Sequence, residues 1–135
     1  MLSKKAQYAL KALEYLAEHR ENGPVLISEI AERKQIPLKF LENILLELRN
    51  ADILSSKKGK GGGYQLKNAP EQTTLANVLR VIDGPIAMLP CVSLYFYQSC
   101  EGCEEKSCRI NKLFIEARDA VLGVLEHKTL KDLIP

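Results

Sequence analysis

Between Ser3 and Asn50 the apolar residues recur at steps of three and four, and the run is interrupted only twice. This spacing constrains the fold more than any other feature, because such a stripe can be buried along one face only if the chain is helical. Ala6, Ala9, Leu10, Leu13, Leu16 and Ala17 predict a helix from Ser3, a good N-cap, to about His19. Asn22-Gly23-Pro24 breaks it, and Ser28 stands at an N-cap position before a short helix from Glu29 to Lys34. Pro37 is tolerated at a helix start, and Leu38, Leu41, Ile44, Leu45 and Leu48 form the stripe of a third helix ending near Asn50. Only a few residues join the second helix to the third.

The period then changes. Asp52 to Ser56 and Tyr64 to Lys67 read as short strands around Lys57-Lys58-Gly59-Lys60-Gly61-Gly62-Gly63, a hairpin with a basic tip. Asn68 to Gln72 is a linker, Thr74 caps a fourth helix carrying Leu75, Val78, Leu79 and Ile82, and Gly84-Pro85 stops it. Residues 91-108 keep no period, and beyond them Ile110, Leu113, Phe114, Ala117, Ala120, Val121, Val124 and Leu125 define a long amphipathic helix. The expected fold is mainly α with a small β-wing. A winged helix-turn-helix occupies residues 1-67, and residues 68-135 supply a bridging helix, a cysteine loop (91-108) and a long C-terminal dimerisation helix. The stripe over residues 109-126 needs more cover than a small monomer offers, so the expected partner is a second copy of the chain.

Two helices joined by a short turn and followed by a basic hairpin form a layout that holds DNA. The third helix would read it: with its stripe buried, Lys39, Glu42 and Asn43 share an outward face, and Phe40 can meet a thymine methyl or pack at the rim. Lys57, Lys58 and Lys60 on a glycine-rich backbone suit phosphates or a minor groove. Ser28, at the start of the helix pair, completes the candidate DNA-binding set. Charge agrees, since residues 1-67 carry 12 Lys and Arg against 8 Asp and Glu, whereas residues 68-135 carry 7 against 9.

All four cysteines, Cys91, Cys100, Cys103 and Cys108, fall within 18 residues. Without a secretion signal, such clustering points to metal or redox chemistry before structural disulfides. Gaps of eight, two and four residues let the thiolates converge on an iron-sulfur cluster or on zinc, and a thiol-disulfide switch needs only two of them; the alternative to a cluster sensor is a DNA-binding or protein-interaction dimer with zinc, a thiol switch or no cofactor. The aromatic run Tyr95, Phe96 and Tyr97 is expected to pack rather than to shield a site. His19 and His127 are expected at helix ends or on the surface.

An enzyme is not expected. No Ser-His-Asp order, paired-carboxylate motif or cofactor fingerprint is present, and the glycine run is neither GxxxxGK followed by Ser or Thr nor GxGxxG opening a helix. At 135 residues the chain is the size of one domain. It has neither a signal peptide nor an apolar run of membrane-crossing length, so the expectation is a cytoplasmic protein.

The segments SKKAQYALKAL, ISEIAERKQIPLKFLENILLELRNADIL, KGKGGGYQL and TLANVLRVIDGPI resemble successive signatures of the Rrf2 family of bacterial winged-helix regulators, over nearly the whole chain. The resemblance implies homodimers on double-stranded, palindromic promoter DNA, with Lys39, Phe40, Glu42 and Asn43 at recognition-helix positions. Lys58 stands where the family often has Arg, which fits a narrow minor groove better. The resemblance also implies a 2Fe-2S or 4Fe-4S cluster. Sensor members hold one with three cysteines in this region, and Cys91 and Cys108 match the outer two, with Cys100 or Cys103 as the middle ligand. The family's fourth ligand is a His after the last cysteine or an acid on the partner's first helix; here these positions hold Asn111 and Gln7, poor iron ligands. Four thiolates from one subunit would replace them.

Overall fold

The computed structural model describes residues 2–135. It contains the helices α1 (Lys4–Glu18), α2 (Ile27–Lys34), α3 (Leu38–Asn50), α4 (Leu75–Asp83) and α5 (Arg109–Leu125), with an antiparallel hairpin of β1 (Leu54–Lys57) and β2 (Gly63–Leu66) between α3 and α4. This is the mainly helical, single-hairpin fold that the periodicity predicts. Ser3 caps α1 by accepting the Ala6 N–H at 3.0 Å, and Thr74 caps α4 by accepting that of Asn77 at 3.1 Å. Gly84, at φ 84°, ends α4.

Ser28 is not the cap of α2. The helix begins at Ile27 with Leu26 at its N-cap, and Ser28 lies exposed within the first turn. The reason is a pairing outside the helix. Val25 exchanges two 2.8 Å backbone hydrogen bonds with Tyr64 of β2, which holds the chain extended up to Leu26, and the Leu26 carbonyl then accepts from Glu29 and Ile30. The hairpin also differs at its edges. β1 starts at Leu54 because Asp52 takes φ 63° in a turn, with its N–H on the Arg49 carbonyl and its carboxylate on Lys67 Nζ at 2.8 Å. Pairing then runs from Leu54 opposite Leu66 to Lys57 opposite Gly63.

One core joins these elements. Ala6, Ala9 and Ala12 of α1 are fully buried, and such small side chains let α3 and α4 approach closely. Leu13, Leu16, Ile30, Leu41, Ile44, Leu45, Leu48, Leu54 and Val78 fill the space between, each burial stabilising by about 1.5–3 kcal/mol. Between α2 and α3, Gln35 adopts the left-handed conformation at φ 53°, and Ile36 drops into the core. The last residues return to this core, where Leu130 is fully buried; Thr129 bridges to Thr74, and Leu75 donates to the Lys128 carbonyl at 2.9 Å.

Helix α5 behaves differently. Of its apolar side chains only Leu122 is buried, while Ile110, Leu113, Val121 and Val124 are 60%, 65%, 47% and 55% exposed. Its stripe therefore has no cover within the chain. Among the described residues no helix is long and apolar enough to cross a membrane.

Candidate functional site

The buried residues of α3, Leu41, Ile44, Leu45 and Leu48, fix which way the helix turns. At about 100° per residue, Lys39, Asn43, Leu46 and Asn50 then occupy the middle of the outward face, and all four are exposed. Glu42 leans toward the hairpin. There a groove of about 500 Å³ opens between the start of α2, α3 and the wing, and its lining includes Ser28, Leu38, Glu42, Arg49, Ser56, Lys57 and Lys58. Four of the residues singled out from sequence thus face one another across a single groove. Lys60 lies exposed at the hairpin tip, outside the groove lining.

Phe40 turns away from the wing. Its ring meets Tyr8 of α1 edge-on, with centroids 5.5 Å apart, and shares a shallow hollow with Asn43 and Lys5. Lys5 in turn pairs with Glu47 at 2.6 Å, a half-exposed bridge of at most about 1 kcal/mol that helps orient α1 against α3. Arg49 is a groove residue that the sequence reading passed over; its guanidinium reaches Ser56 Oγ at 3.4 Å. Its place two helical turns after Glu42, on the same side of α3, was the available signal.

Two glycines shape the wing, Gly62 by closing its tip and Gly63 by bringing it against the start of α2. Gly62 could not carry a side chain, because a Cβ there would lie 2.2 Å from the Lys57 carbonyl oxygen. Gly63, at φ 142°, passes Val25 at the point where Val25 and Tyr64 pair. The basic tip is thus carried on a hairpin whose second strand is anchored to the chain just before α2.

The cysteines gather at the N-terminus of α5. Cys91 lies in the turn Pro90–Val92, which is fixed by the buried Val92 side chain and by Arg118 of α5 donating to the Val92 carbonyl at 2.7 Å. Cys108 is the N-cap of α5, its sulfur accepting the Asn111 backbone N–H at 3.4 Å. The Asn111 side chain, only 6% exposed, donates from Nδ2 to Cys91 Sγ at 3.3 Å. Asn111 therefore touches both the first and the last of the four sulfurs. The Asn111 backbone N–H holds the Cys108 thiol below its usual range, and the hydrogen bond from Cys103 acts in the same direction. The Cys103 thiol, bonded to Cys108 and beside Cys100, is pushed up to about 11.

Cys91 and Cys108 meet through Asn111 and the Cys103 thiol lies beside those of Cys108 and Cys100, but among the described residues no three His, Cys, Asp or Glu side chains come together as metal ligands. Cys100 is exposed, and the segment between Ser93 and Cys108 contains one short 3-10 turn, Glu105–Ser107. Gln7 is exposed on α1, bonded to the Leu2 carbonyl. The aromatic run does not enter the core: Tyr95 lies exposed beneath the Arg80 guanidinium at 4.4 Å, Phe96 is exposed, and the Tyr97 hydroxyl donates to Glu105 at 2.7 Å. His19 and His127 sit at helix ends, their Nδ1 atoms beside the Tyr15 and Gly123 carbonyls.

The Rrf2 family model, described as an iron-dependent transcriptional regulator, matches residues 2–135. An rrf2-like transcriptional regulator of Rhodobacter capsulatus is 45% identical, covering 99% of this chain and 92% of that protein. The transcriptional regulator IscR of Photorhabdus laumondii is 31% identical over 98% of this chain and 78% of its own length. Among solved structures, CymR of Bacillus subtilis, the global cysteine regulator, superposes with a TM-score of 0.81 at 32% identity, over 98% of this chain and 95% of that one. These relatives regulate transcription and are not enzymes, and DNA binding follows from that kinship. The chain belongs to the Rrf2 family of winged-helix transcriptional regulators.

Proposed function

We propose that the protein is a homodimeric, cytoplasmic regulator that binds palindromic promoter DNA and senses redox, nitric oxide or iron-sulfur status through a cluster on Cys91, Cys100, Cys103 and Cys108. The observation that carries this reading is the contact of Asn111 with both outer cysteines at the N-terminus of α5, the helix whose bare apolar stripe would join two copies. The donor set fits a cluster, which is held by thiolates, and neither His nor carboxylate is needed when four thiols are at hand. When bound, the cluster supplies a centre reactive toward oxidants and nitric oxide.

The chain's own residues do the rest. Cys108 ties the loop to the first turn of α5, and Arg118 ties its other end to the same helix, so a change in the loop bears directly on the dimer helix. A change in the pose of two α5 helices alters the spacing of two reading heads, which must match half-sites about one helical turn apart. On each head Lys39 and Asn43 would meet base edges, Phe40 and Ser28 would flank them, and Glu42 would select from the groove wall. Lys57, Lys58 and Lys60 would hold phosphates.

Anaerobic purification followed by absorption spectroscopy, iron and sulfide analysis, and titration of a palindromic promoter fragment tests the reading. A coloured protein with stoichiometric iron and sulfide, whose DNA affinity changes on cluster removal, is expected. The contact between the Cys103 and Cys108 thiols favours a second reading, a thiol-disulfide switch without a cluster. A colourless protein, metal-free or holding zinc, whose DNA affinity changes on thiol oxidation would replace the first reading with the second.

A further inference from the structure

An amide side chain buried to 94% must be hydrogen-bonded, or its burial costs on the order of 1–3 kcal/mol. The Asn111 Nδ2 is directed at the Cys91 sulfur 3.3 Å away, which is in no disulfide. Asn111 is also the third residue of α5, so its backbone N–H meets the sulfur of the capping Cys108. One residue thus grips two thiols 17 positions apart in sequence, with different donors. Cys100 and Cys103 have no such grip from the helices: Cys100 is exposed, and the sulfur contacts of Cys103 are with other cysteines.

We propose that Asn111 is a positioning residue that assembles half of the sulfur site before any metal arrives, holding Cys91 and Cys108 together while Cys100 and Cys103 close over them. The inference rests on the cysteine-site reading above and deepens it. The chemistry of the amide suits the task. It donates to sulfur without carrying charge, it cannot compete for iron as an imidazole would, and it cannot repel a thiolate as a carboxylate would. Asn111 thus does not substitute for the family's His ligand; it supports the thiolates that make that ligand unnecessary. The half-site also defines an order of assembly. Cys91 and Cys108, already paired at the N-terminus of α5, would be the first ligands offered to a metal, and the loop thiols of the C-x-x-C pair would follow, which would save the cost of ordering the 91–108 loop at the moment of binding.

The test compares wild type with Asn111→Leu and with Asn111→Asp, the latter keeping the shape and replacing the donor by an acceptor. The first readout needs no metal. In a C100S/C103S background, a short dibromo bimane reagent bridges Cys91 and Cys108, each thiolate displacing one bromide, and the bridging rate reports their proximity. Both Asn111 variants should bridge several-fold more slowly, whereas bridging of Cys103 to Cys108 in a C91S/C100S background should not change. The second readout is anaerobic titration of the four-cysteine protein with Co(II), followed by sulfur-to-cobalt absorption; affinity should fall about ten-fold or more in the variants. Slower Cys91–Cys108 bridging with no cobalt binding in any form would keep Asn111 as the positioning residue and overturn the metal-site reading. Wild-type rates of Cys91–Cys108 bridging in a folded Asn111→Asp protein would overturn the positioning role.

Discussion

A Cβ on Gly63 would lie 2.2 Å from the carbonyl oxygen of Val25, closer than any side chain permits. Gly63 is therefore what allows the wing to lie against the start of α2, where Val25 and Tyr64 exchange their two backbone hydrogen bonds. Gly63→Ala should break that bridge and free the wing, adding strain of about 1–3 kcal/mol at a φ that L residues avoid. Gly59→Ala is the control, with a positive φ but nothing near its Cβ, and should cost less. Chemical denaturation and DNA affinity measured on both variants check the order, and equal effects would refute a close approach specific to Gly63.

On the proposed reading, the groove and the wing divide the work on DNA. Lys58→Ala with Lys60→Ala should weaken binding to every sequence and reduce the salt slope by roughly one unit per lost phosphate contact. Asn43→Ala should instead shift preference among operator variants by about 1–3 kcal/mol per lost base contact. Because Arg49 lines the groove beside Ser56, Arg49→Ala should resemble the lysine variants more than Asn43→Ala. Competition binding with specific and random duplexes at several salt concentrations separates the classes.

The bare stripe of α5 carries a separate expectation. Val121 and Val124 are about half exposed and belong to a helix of about 25 Å that buries only Leu122 among its apolar residues. Val121→Lys with Val124→Lys should give monomers without unfolding the N-terminal core, and tight binding to a palindrome should be lost, since one half-site alone binds weakly. Sedimentation and circular dichroism together provide the check. A dimer that persists with both lysines would place the interface elsewhere.

Helices were legible in the sequence because their signals are local: the period of three and four, Ser3 and Thr74 as caps, and Gly84 as stop all lie within a few residues of what they determine. Ser28 shows where that logic ends. The start of α2 is set by Val25 pairing with Tyr64, 39 positions away, and no local pattern announces it. Asn111 makes the same point at the cysteine site: its position invited comparison with a ligand, but the contact of its amide with Cys91 spans a loop without periodicity. The wing lysines and the outward face of α3 could be named from sequence because a buried stripe fixes its opposite face by elimination. Arg49 lies on the flank of that stripe, where elimination is silent.

The two contacting thiols at the start of α5 should differ in reactivity. Cys108 is held below its usual range chiefly by the Asn111 backbone amide, which favours the thiolate, whereas Cys103 is pushed up to about 11, chiefly by donating its own hydrogen to Cys108. A lowered value means that the thiolate forms at lower pH, so alkylation of metal-free protein should label Cys108 first, its rate levelling off below the usual thiol range, while Cys103 should still be gaining rate above pH 9. With added peroxide as the two-electron oxidant, the same asymmetry gives a direction to oxidation: the Cys108 thiolate would attack the peroxide O–O bond, releasing hydroxide or alkoxide and leaving a sulfenic acid, and the Cys103 thiol would then displace water from it to close the disulfide. Cys108→Ser should remove the hydrogen-bonded thiolate and bring the Cys103 profile down toward that of an ordinary cysteine. Rates of iodoacetamide labelling, followed by peptide mass spectrometry from pH 6 to 11 under anaerobic conditions, measure both curves. Equal midpoints for Cys103 and Cys108, or an unchanged Cys103 curve in Cys108→Ser, would show that the two sulfurs do not share a proton in solution.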